Sequence, residues 1–158
     1  MPVYKNIYRS TPKVSPGSIN NVSNTARITD LNLRYDAGVR TMIFYGTVHT
    51  THNPAGYNIQ VTFKNVKKDD GLTEVEVIQG FQPKPTLSKH EMQVRCSCAS
   101  YRFRFDQANR LHHVGTGARF PIYHRLTNRK PNNPKNLMGF CKHVIEFVDY
   151  LQKQGFIH

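Results

Sequence analysis

The chain has no tryptophan and only three cysteines in 158 residues. Three cysteines make a poor disulfide framework, because one is always left over. Thiols kept reduced suit a cytoplasmic setting better than a secreted one. Acidic side chains are also scarce, ten against 22 lysines and arginines, for a formal charge of +12. No apolar run approaches the roughly 20 residues that a spanning helix needs, so no membrane partner is expected. Met1-Pro2-Val3-Tyr4-Lys5 lacks the apolar core of a signal peptide. No Gly-rich loop is followed by a Lys-Ser/Thr pair, so a nucleotide-binding loop of that type has no support. There is no internal repeat.

What is present gathers in the second half. Residues 95–142 hold Arg95, Arg102, Arg104, Arg110, Arg119, Arg125, Arg129, Lys130, Lys135 and Lys142 against a single acid, Asp106. All three cysteines lie there too, as Cys96-Ser97-Cys98 and, beyond residues 99–140, Cys141-Lys142-His143. Three thiolates and one imidazole are a complete tetrahedral shell for Zn²⁺, a borderline-soft ion with no geometric demand of its own. The plain alternative is three unrelated buried thiols, which are common in cores.

Local patterns suit the first reading. Met92, Val94, Cys96 and Cys98 alternate with Gln93, Arg95 and Ser97, so both cysteines fall on one strand face. Ala99-Ser100 reads as a turn. Tyr101, Phe103 and Phe105 then alternate with Arg102 and Arg104, which predicts a second strand and hence a hairpin. In mid-helix residues two apart point about 200° away from each other, so Cys141 and His143 converge most easily at a helix entrance. Gly139 precedes the pair, Val144, Phe147, Val148 and Leu151 recur at helical steps, and Gly155 marks the stop. Such a zinc shell carries a net charge of −1, which Arg95, Arg102 and Lys142 could offset.

This arrangement resembles the SWIM-type zinc finger: Cys-x-Cys, a variable gap, then Cys-x-His at a helix start. The resemblance covers roughly residues 94–151 and implies one Zn²⁺ per chain on Cys96, Cys98, Cys141 and His143. The gap is longer than that family's usual one, so the excursion between the halves reads as an insertion. A β-rich start, Cys-Ser-Cys, an Arg/Phe segment, a basic Pro/Asn loop and a late Cys-Lys-His are together similar to small proteins encoded by large tailed phages. That second resemblance implies a virion or assembly component, made in the host cytoplasm, whose partners are other subunits of a phage-like particle.

Ahead of the zinc half the chain reads as β. Leu31, Leu33 and Tyr35 alternate before an Asp36-Ala37-Gly38 turn. Residues 39–49 form a strong strand with Met42, Phe44 and Val48 on one face. Ile59, Val61 and Phe63 alternate within a strand over 57–66. Val75 and Val77 alternate with Glu74 and Glu76 as a further short strand, and Pro83 and Pro85 mark a connector. Residues 106–138 show no persistent period, so a long basic loop is expected. The fold class is α+β: an antiparallel sheet followed by a zinc-bound β-hairpin/α-helix module. Residues 1–25, broken by Pro12 and Pro16, read as an extended arm whose Val3, Tyr4, Ile7 and Tyr8 would anchor on a neighbouring subunit. Residues 26–158 form one domain, with the zinc module at 90–155.

An enzyme is not expected, since four protein ligands close a zinc site while catalytic zinc keeps a position for water. His112 and His113 read as solvated loop residues. Two functions stay open. One is a non-enzymatic structural or adaptor protein. The other is a nucleic-acid binder using Arg102, Arg104, Arg110, Arg119, Arg125, Arg129, Lys130 and Lys135, with Tyr101, Phe103, Phe105, Phe120 and Tyr123 to stack on bases.

Overall fold

The structure, a computed structural model, describes residues 2–23, 26–121 and 132–158. Helix α1 (Tyr4–Ser10), a 3-10 turn (Thr11–Lys13) and the short α2 (Gly17–Asn20) come first. Strands β1 (Arg27–Asp36), β2 (Thr41–His49) and β3 (Tyr57–Phe63) follow. Then come α3 (Glu74–Ile78), β4 (Met92–Cys96), a π-helical turn (Tyr101–Phe105) running into α4 (Asp106–Leu111), and α5 (Lys142–Lys153). The strands form one antiparallel sheet in the order β1-β2-β3-β4.

Alternation decides which sheet face is buried. Met42, Phe44 and Val48 of β2, Ile59, Val61 and Phe63 of β3, and Met92, Val94 and Cys96 of β4 all lie in the core. Helix α5 covers that face with Val144, Phe147, Val148 and Leu151. Gly46 permits the close approach, since a Cβ there would sit 2.5 Å from Phe147 Cε2. The helix ends as expected, with Gly155 at φ +79. Phe156 N–H then donates to Leu151 O (2.9 Å) and Gly155 N–H to Gln152 O (3.1 Å), the paired bonds that satisfy a helix's last carbonyls. The outer edge of β4 is covered, with Val94 N–H on Val114 O (2.7 Å) and Thr116 N–H on Val94 O (3.3 Å).

Three expected elements differ. The strand around Val75 and Val77 is helix α3. Thr73 Oγ1 accepts from Glu76 N–H (3.2 Å), and Glu76 Oε1 accepts from Thr73 N–H (3.1 Å). This reciprocal cap satisfies two otherwise orphaned donors and outweighs a four-residue alternation. The second strand of the hairpin is the helical segment 101–111. A helix puts positions four apart on one face, so Tyr101 and Phe105 are buried while Phe103 between them is 43% exposed.

The N-terminal segment is no extended arm either. Within it Ile7 and Thr11 are fully buried, Tyr4 stacks on Tyr8 (5.6 Å), and Tyr4 stacks on Phe140 (5.2 Å). Tyr4, Ile7 and Tyr8 thus pack against their own chain's core. At smaller scale, β3 stops at Phe63 rather than at Val66, and Asn65 follows it at φ 57.

A part-buried hydrogen-bond network braces the β3–β4 connection. His90 Nδ1 accepts from Thr86 N–H (2.9 Å), so Nε2 carries the proton it donates to Asp70 Oδ2 (3.0 Å). Asp70 also accepts from Lys67 N–H (2.6 Å). Burial works to raise the Asp70 carboxyl, but these bonds and Lys89 hold it below its ordinary 3.8. A folded value below the unfolded one means the ionised group stabilises above that pH, and the contribution fades as pH falls through the folded value. Asp70→Asn should cost roughly 1–3 kcal/mol at neutral pH. The gap from wild type should narrow in urea titrations below about pH 4, whereas a gap independent of pH would refute this role.

Candidate metal centre

Cys96 is the last residue of β4 and Cys98 lies two residues past its end. The strand needs a sharp exit, and sulfur supplies part of it. Cys98 N–H points at Cys96 Sγ (3.5 Å), and Tyr101 N–H donates to Cys98 Sγ (3.3 Å) as the helical segment begins. Cys141 is the N-cap of α5, in extended geometry (φ −74, ψ 162), and His143 sits in the first turn. This is the helix entrance that a Cys-x-His pair requires.

The four donor atoms lie within 4.8 Å of one another. A tetrahedral zinc shell separates its ligand atoms by about 3.5–3.8 Å, given bonds of about 2.3 Å to sulfur and 2.0 Å to nitrogen. No member is more than 5% exposed. The Tyr57 ring lies 4.3 Å from the His143 ring, tilted by 31°, and limits its rotation.

The donor chemistry fits a cation. All three thiols are free, so no disulfide accounts for their meeting. Hydrogen bonds from Cys141 and Cys96 hold the Cys98 thiol far below its usual range, against burial. Burial pushes Cys96 and Cys141 well up. His143 Nδ1 is buried and has no hydrogen-bond partner among the described residues. A soft dication placed among these groups would satisfy both the sulfurs and the imidazole. The cluster is therefore compatible with a single metal ion.

What holds Cys141 in place was not expected from sequence. Asn109, fully buried, grips the backbone of Gly139 from both sides. Its Nδ2 donates to Gly139 O (2.9 Å), and its Oδ1 accepts from Gly139 N–H (2.9 Å). Gly139 must be glycine, since a Cβ would lie 2.3 Å from Phe105 Cε1. Phe140 N–H donates to Thr11 Oγ1 (3.0 Å), whose own hydroxyl donates to Ile7 O (2.9 Å). Tyr101 ties the other half of the site, donating to Val94 O (2.8 Å) on β4. An asparagine or threonine in a polar stretch carries no sequence signal for such roles.

The basic side chains are less available than a charge count suggests. Arg95 donates to Ala118 O (2.6 Å) and lies 4.0 Å over the Phe120 ring. Arg102 covers the same ring at 5.2 Å. These two face Phe120, so of the expected charge-offsetting residues only Lys142 lines the cleft at the cluster, joined by Arg104. Arg110 is spent on Asp106, Thr116 O and Gly117 O. Arg104 donates to Ser15 Oγ (3.0 Å). Arg119 and Lys135 are exposed. Arg125, Arg129 and Lys130, with Tyr123, lie outside the described residues. Tyr101 and Phe105 are core residues and cannot stack on bases. His112 and His113 are exposed, with His112 Nε2 lying 2.8 Å from Asn136 O.

No protein-family model, curated protein or solved structure matches this chain. The site therefore rests on its own geometry. If Asn109 orients the Cys141 half, Asn109→Ala should weaken metal binding by roughly 10–100-fold, the usual cost of removing a group that positions a ligand. Competition against a chromogenic chelator measures this. Unchanged affinity in a folded variant would rule the role out.

Proposed function

We propose that the chain is a non-enzymatic protein stapled by one Zn²⁺ on Cys96, Cys98, Cys141 and His143, and that it works as a structural or adaptor component. The observation that carries this reading is the buried four-donor cluster. Four protein ligands complete a zinc shell and leave no position for a reacting water. Three sulfurs and one imidazole favour zinc over the hard ions, which take oxygen. The metal would join the end of β4 to the start of α5 across residues 99–140, and the likeness to SWIM-type fingers agrees with that layout.

The adaptor part draws support from the surface around α3. Ile78 is 85% exposed, Val75 60% and Phe81 51%. Glu74 and Glu76 alternate with them in sequence, Glu76 paired with Lys84 (3.7 Å). Exposed apolar side chains of this size suit a protein partner. On the phage-like resemblance, that partner is a neighbouring subunit of a particle. The second reading, nucleic-acid binding, draws on Arg102, Arg119 and the bases of residues 125–130.

One purified sample tests both parts. Elemental analysis should return about one zinc per chain, as a single four-ligand site requires. Duplex DNA should bind weakly, on the order of 10⁻⁴–10⁻⁶ M at physiological salt. Neutralising Arg119, Arg125, Arg129 and Lys130 together should change that little. Nanomolar binding lost on those four changes, with a salt slope flattened by several units, would favour the nucleic-acid reading instead.

A further inference from the structure

We infer that the cleft beside the cysteine–histidine cluster is an anion site that takes one phosphate group. The cleft has a volume of 280 Å³ and runs between α2, the start of the 101–111 helical segment and the start of α5. That is room for a phosphate and part of what carries it. Its lining includes Arg104, Lys142, Ser15, Ser18 and Ser100, and no carboxylate.

The charges leave a surplus. With a dication on its three thiolates the cluster carries about one negative charge. Arg104 and Lys142 contribute two positive charges, and the first turn of α5 contributes about half of another. Roughly one and a half positive charges remain among the lining residues; Glu146, one turn from Lys142 on α5, lies outside that lining and accepts from Ser23 N–H (2.9 Å). Offsetting the thiolates does not use up both cations.

Hydrogen counting points the same way. Ser15 and Ser18 are each only 4% exposed. Their hydroxyl oxygens lie 3.0 Å apart, so one of the two protons serves that bond. Arg104 Nη1 supplies a further donor to Ser15 Oγ. The second hydroxyl proton then has no acceptor among the described residues. Arg104 has four further N–H groups without an acceptor there, and the Lys142 ammonium has none. Helix α5 also begins without a side-chain cap. Ser15 and Ser18 are buried while Arg104 and Lys142 are half-buried, and a phosphate offers acceptor oxygens in the number and spread these groups lack. The construction differs from a Gly-rich phosphate loop: two cations and paired serines replace consecutive backbone amides.

The test is calorimetric titration of the purified chain with inorganic phosphate, backed by amide shifts in NMR spectra. Saturable binding at millimolar phosphate is expected, with the Lys142 and His143 amides moving. Arg104→Gln should weaken it roughly tenfold or more, as loss of a charge-assisted contact would. Arg104→Lys should restore part of it, and Arg119→Gln should leave it unchanged. A short single-stranded oligonucleotide separates the sources. If it displaces phosphate from the Arg104-dependent site, the group is a backbone phosphodiester. If it does not, the group arrives on a small molecule. No saturable binding, or binding indifferent to Arg104→Gln, overturns the proposal.

Discussion

Four soft donors from two distant segments must meet at one point, and that meeting constrains the rest of the structure. Cys96 and Cys98 arrive from the edge strand of the sheet, Cys141 and His143 from the start of the covering helix. Their convergence sets where β4 ends and where α5 begins. It also demands that residues 139–141 be held without slack. Asn109 grips Gly139, Phe105 leaves no space for a side chain there, and Thr11 satisfies Phe140 N–H. The N-terminal helix is therefore part of the scaffold of the site. Removing it would expose Phe140, which Tyr4 covers.

The same economy applies to charge. A basic segment invites the idea of a nucleic-acid surface, yet several of its arginines act as internal braces. Arg95 and Arg102 both lie over Phe120, and Arg110 collects two loop carbonyls. Guanidinium suits this work because its planar fork both stacks on rings and donates several bonds at once. What remains for partners is narrower than the formal charge, and it includes the cleft at the cluster.

Much of this was legible in the sequence. Period-two patterns placed β1, β2 and β3 with their inward faces, and the 3.6-residue pattern placed α5 and its glycine stop. The Cys-x-Cys and Cys-x-His pairs marked the cluster, since soft donors at such spacings have few other uses. The misses share one cause. Alternation over four or five residues fits a strand, but a cap or a longer window can overrule it. Thr73 and Glu76 spelled a capping box within the supposed strand. Tyr101, Phe105, Ala108 and Asn109 fall at helical steps once the window extends past Phe105. The Asn109 clamp was out of reach, because nothing local to an asparagine tells which backbone it will meet.

The central claim is that three sulfurs and one imidazole nitrogen hold a single zinc ion. Zinc-edge X-ray absorption of the purified protein tests it most directly. The account predicts a shell of three sulfurs at about 2.3 Å and one nitrogen at about 2.0 Å, with no fifth ligand. A shell of oxygen and nitrogen alone, or a folded protein without bound metal, would contradict it.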